Sequence, residues 1–104
     1  MTGVRAEVLV VPDCPNETTT VERLRQVLDE TGRIDTPVEV HVVTLQTVPW
    51  ASAFAGSPTV VIDGVDPFAD QASAGAGLSC RVYRGPEGVS GAPSLEALRR
   101  VIGR

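Results

Sequence analysis

Residues 6–16 read AEVLVVPDCPN. The Val-rich run at 6–11 is almost continuously apolar, the pattern of a strand covered on both faces, and it predicts a central first strand. From Asn16 the spacing changes. Val21, Leu24, Val27 and Leu28 recur at helical intervals, while Glu22, Arg23, Arg25, Gln26, Asp29 and Glu30 point elsewhere, so an amphipathic helix follows. Asn16 can act as its N-cap, Thr19 with Glu22 offers a capping box one turn later, and Gly32 supplies a left-handed stop. Cys14 therefore lies at a strand-to-helix junction, between Asp13 and Pro15.

The rest of the chain builds outward from this junction. Val38, Val40 and Val42 alternate with Glu39, His41 and Val43, which predicts a strand over 38–43 with one polar face, suited to a sheet edge. In the stretch TVPWASAFAG, Thr47 can cap a short helix that tolerates Pro49 in its first turn, places Trp50 and Phe54 one turn apart as core residues, and ends at Gly56. SPTVVIDG then reads as an apolar strand opened by Pro58 and closed by an Asp-Gly turn. Residues 65–77 show neither period and form a long loop, either a turn shaped by Asp66-Pro67 or one wall of a groove. LSCRVY (78–83) alternates again, with Leu78, Cys80 and Val82 on one face and Ser79, Arg81 and Tyr83 on the other. RGPEGVSGAP turns the chain, and Ser94 caps a last helix whose Leu95, Leu98 and Ile102 make one stripe before Gly103.

Length and composition bound the possibilities. A chain of 104 residues with 42% hydrophobic content builds one modest core, so a single domain over 1–104 is expected. The net charge is −4 and the nine basic residues, all Arg, are scattered, which argues against a grip on a nucleic-acid backbone. No stretch reaches the ~18 apolar residues that a membrane helix needs, and the N-terminus lacks the basic-then-apolar layout of a signal peptide, so the cytoplasm is the expected compartment. Two cysteines there are expected to be free thiols. His41 reads as a solvated side chain, and two Cys with one His lack the close spacing of a zinc site, so no metal and no cofactor are expected.

The order strand, Cys at a helix start, crossover strand, helix, Ser-Pro-Thr opening a strand, and closing helix resembles the thioredoxin-like fold over most of the chain. The resemblance implies an α/β fold with a mixed four-stranded sheet, the 38–43 strand at one edge, the 78–83 strand at the other, and helices on both faces. It also implies that Cys14 is the redox cysteine and that a cis-Pro58 before the third strand faces it, with Ser57, Pro58, Thr59 and Pro15 forming the substrate-binding edge. The frame Cys14-Pro15-Asn16-Glu17 departs from the family's Cys-x-x-Cys, because Glu17 stands where the resolving thiol would be; internal dithiol exchange at this motif is excluded. DCPN, GSPTVVIDGVDPF and LSCRVY together are also similar to a group of small bacterial thioredoxin-like proteins, some labelled organomercurial lyase-like.

Physical chemistry leaves the Cys14 thiol between two readings. A helix N-terminus favours the thiolate by roughly 0.3–1 kcal/mol, whereas Asp13 and Glu17 oppose it and no cation is near in sequence. Cys14 is then either a nucleophile or a small apolar residue. Cys80 reads as a core cysteine, and a simple hairpin holds it too far from Cys14 to bridge, since a disulfide needs Cα atoms within ~7 Å. The expected function is a thiol-dependent redox protein in which Cys14 forms mixed disulfides with a low-molecular-weight thiol or a client protein cysteine. The alternatives are a non-catalytic thioredoxin-like binding module and, last, soft-metal or organomercurial handling by Cys14 and Cys80.

Overall fold

A computed structural model describes residues 4–44, 56–68, 82–85 and 88–102. The expected 47–56 helix with Trp50 and Phe54, most of the 65–77 loop, and Cys80 lie outside the described residues. The elements are β1 (Ala6–Val10), α1 (Glu17–Glu30), β2 (Val38–Val42), β3 (Thr59–Ile62), β4 (Tyr83–Gly85), β5 (Gly88–Ser90) and α2 (Leu95–Ile102). β1 is central: it pairs in parallel with β2 and antiparallel with β3, in the order β2-β1-β3. Ala6, Val8 and Val10 point to one face of this mixed sheet, where they join Leu24, Val27 and Leu28 of α1 and Leu98 and Ile102 of α2 in the core. The two helices pack on one another.

Local chemistry sets the element ends. α1 starts after Asn16, whose side chain makes no cap bond; instead the Thr20 hydroxyl donates to the Asn16 carbonyl at 2.8 Å, which lets a polar residue be wholly buried. The C-terminus closes as a Schellman motif, with Gly32 N–H donating to Asp29 O and Arg33 N–H to Leu28 O, and Gly32 takes φ +83°. Asp63 (φ 53°) and Gly64 (φ 83°) form the two-residue left-handed turn that the Asp-Gly pair favours, and it returns the chain to bridge Ile62 with Val65. Ser94 caps α2, its Oγ accepting the Ala97 N–H at 3.0 Å. The Ser57–Pro58 peptide bond is cis.

Of the expected fourth strand at 78–83, residues 78–81 lie outside the described residues. The described residues form a three-stranded sheet and a separate two-stranded one, because Tyr83–Gly85 pairs with Gly88–Ser90, a stretch the sequence reading treated as a turn, and not with β3. A partner a few residues away carries little loop-closure cost, and Gly88 at φ +111° supplies the tight return. The alternation at its start is also inverted: Tyr83 is buried at 2% exposure whereas Val82 is 56% exposed. Tyr83 turns inward because its hydroxyl has a buried acceptor, the Pro58 carbonyl, and its ring an edge-to-face partner in Phe68, at 5.4 Å between centroids. Both described helices share a face; a helix on the opposite face is not seen among the described residues.

Candidate functional site

Cys14 stands four residues beyond Val10, the last residue of β1, where the chain reverses into α1. Asp13 adopts φ 60°, a left-handed conformation that Asp tolerates better than most residues, and it turns the chain sharply before the cysteine. The Cys14 carbonyl accepts the Glu17 N–H at 3.3 Å, which places the cysteine in the turn that leads into α1, two residues before its N-cap Asn16. The neighbouring wall is the start of β3. In the antiparallel register Leu9 faces Thr59, so the chain beyond Leu9 runs beside Pro58 and Ser57, and the Val11 N–H donates to Ser57 Oγ at 3.0 Å. Tertiary structure thus brings the Cys14 turn and the Ser57-Pro58-Thr59 segment to the same end of the sheet.

The site is more closed than the sequence reading expected. Cys14 is a free cysteine with 8% exposure and belongs to the core cluster with Phe68 and Tyr83. Ser57, Pro58 and Thr59 are also buried: Thr59 donates its hydroxyl to Gly56 O, and the Pro58 carbonyl is taken by Tyr83. Of the four residues expected to form the substrate-binding edge, Ser57, Pro58 and Thr59 are buried and Pro15 is exposed. The VDPF turn accounts for part of the cover. Asp66 Oδ1 accepts the Phe68 N–H at 2.9 Å, an Asx turn that drops the Phe68 ring into the core.

Two further constellations were not legible in the sequence. On the sheet face opposite α1, the parallel register sets Glu7 beside Glu39 and next to His41; His41 Nε2 lies 3.1 Å from Glu7, and the three side chains offer ligand atoms within 4.8 Å of one another. Arg5 Nε lies 3.5 Å from Glu7 and 3.6 Å from Glu39, so these carboxylates already hold a cation, and the cluster reads as an ion-pair network. The second is a cleft of about 500 Å³ between the β4–β5 hairpin and the start of α2, lined in part by Arg23, Tyr83, Ser90, Ser94 and Arg99. That volume lies in the range of small-molecule sites, roughly 300–1,000 Å³. Arg23 donates to the Pro93 carbonyl at 3.0 Å, and Arg99 makes a two-pronged pair with Glu30 at 2.8 and 2.9 Å. Neither constellation has a spacing signal, because each gathers residues from separate elements.

Comparison with known proteins returns no matching family model, no matching curated protein and no matching solved structure. What the described residues define is a small mixed α/β domain in which two helices pack together and the Cys14 thiol is nearly enclosed at a strand-to-helix junction.

Proposed function

We propose that this chain is a thioredoxin-like, single-thiol redox protein in which Cys14 forms mixed disulfides. The observation that supports the reading is the joint placement of Cys14 in the turn leading into α1 and of the Ser57–Pro58 segment beside the end of β1. The Cys14 thiolate attacks one sulfur of a disulfide RSSR, a Cys14–SR bond forms, and RS⁻ leaves. Glu17 occupies the position of a resolving thiol, so a second, external thiol must attack the adduct and restore Cys14. In a reducing cytoplasmic setting, low-molecular-weight thiols supply it, and the client is such a thiol or a protein cysteine. Because the residue is only 8% exposed, adduct formation proceeds through local opening of its cover, and its rate reports that opening.

The same burial favours a second reading, a binding module in which Cys14 is an inert core residue and the cleft beside α2 takes the ligand. Mass spectrometry of the native protein after brief treatment with glutathione disulfide separates the two. The redox reading expects a glutathione adduct at Cys14 that persists until dithiothreitol is added. Absence of modification at Cys14 until the protein unfolds sinks it and leaves the binding module.

A further inference from the structure

The outer edge of β2 is built to pair with itself. Val43 N–H donates to Val10 O, so the odd-numbered residues of this strand turn their backbone groups toward β1. Along a strand these directions alternate, and Val38, Val40 and Val42 therefore present their N–H and C=O groups outward. Among the described residues β2 has no partner on that side. The side chains there are also uncovered: Val40 is 37% and Val42 53% exposed, adjacent on one face. A bare edge strand carrying valines is a template for another strand, and edges without a role are ordinarily guarded by Lys, Pro or a bulge.

The five residues Val38-Glu39-Val40-His41-Val42 are complementary to themselves when reversed. An antiparallel pair centred on Val40 sets Val40 against Val40 and Val38 against Val42, with their outward backbone groups exchanging hydrogen bonds. The same register puts each Glu39 opposite the other copy's His41, an acid facing a basic ring on the polar side, with no like charges directly opposed. We propose that two copies of this chain associate through β2 in this register, joining their sheets into one continuous sheet and covering Val40 and Val42. A single five-residue strand pair lies below the ~1,200 Å² of a standard interface, so the association is weak, with a Kd between roughly 1 μM and 1 mM.

Sedimentation equilibrium of the full chain under reducing conditions, at concentrations spanning that range up to about 1 mM, tests the proposal. Wild type is expected to shift from monomer to dimer. Val40→Pro deletes an outward N–H and leaves the bonds to β1 intact; Val40→Lys adds charge at the seam without touching the backbone. Either variant, shown folded by circular dichroism, is expected to weaken association at least tenfold. Glu39→Lys opposes Lys to His41 and weakens it as well, and the double change Glu39→Lys with His41→Glu restores acid against base and recovers association. A wild type that stays monomeric throughout overturns the proposal, as does a dimer that the folded Val40 variants leave unchanged. Failure of the double change to recover what Glu39→Lys loses overturns the register.

Discussion

Tyr83 illustrates how a single hydroxyl can reverse a pattern. Alternation alone assigns Val82 to the core and Tyr83 to the surface, yet the structure buries Tyr83, whose O–H donates to the buried Pro58 carbonyl. Removing one partner of a buried hydrogen bond costs about 1–3 kcal/mol. Tyr83→Phe keeps the edge contact with Phe68 and removes only the donor. It is expected to lower unfolding free energy by about 1–3 kcal/mol, measured by urea denaturation; a change under ~0.5 kcal/mol contradicts this account. At Cys14 the residue scale was only partly legible: its place at a helix start follows from AEVLVVPDCPN, whereas its burial in a core cluster shared with Phe68 and Tyr83 depends on segments distant in the chain.

Among the elements, α1 is the one most fully specified by its own residues. Leu24, Val27 and Leu28 are buried as their spacing predicts, and Gly32 ends the helix. Its buried Thr20 escaped notice, since nothing in a polar residue's spacing reveals the bond to Asn16 O. Arg25 ties the helix to the segment leading into β2 by donating to Asp29 and to the carbonyls of Arg33 and Thr36. At the end of α1, Glu30 joins α1 to α2. Hydrogen bonds from Arg99 and then Gln26 hold its carboxyl at about 2, below its ordinary 4.5. A folded-state value below the unfolded one means that this stabilisation is complete above pH 4.5 and is lost as pH falls toward 2. Glu30→Gln is therefore expected to melt below wild type at neutral pH and to converge with it near pH 2, by differential scanning calorimetry. The pair is solvent-exposed, so added salt is expected to shrink the neutral-pH difference too.

At the scale of the whole molecule, the segment before α2 is seated on the start of α1. A Cβ built on Gly91 would lie 2.3 Å from the Asn16 side-chain nitrogen and 2.6 Å from its Cγ, far inside contact distance, and Arg23 of α1 reaches the Pro93 carbonyl beside it. Gly91→Ala is expected to destabilise by no more than about 1 kcal/mol, because the overlap is with the end of the Asn16 side chain, which makes no cap bond and can rotate away. Asn16→Ala removes the obstructing atoms and, since Asn16 makes no side-chain cap bond, costs little alone; the double variant should recover most of the loss, and additive effects in the thermodynamic cycle would refute the contact. Sequence by itself determined the central strand at 6–10, the spans of α1 and α2, the Asp63-Gly64 turn and the position of Cys14 at a helix start. Each of these rests on forces within one turn or one hairpin: side-chain period, capping, and backbone freedom at Gly. Only the tertiary structure decided that Tyr83–Gly85 pairs with Gly88–Ser90, that Cys14 and Ser57–Thr59 are enclosed, that Glu7, Glu39 and His41 meet, and that Val40 and Val42 of β2 stay exposed. Those outcomes depend on which distant residue supplies a missing hydrogen-bond partner or covers an apolar face, and no spacing along the chain encodes that choice.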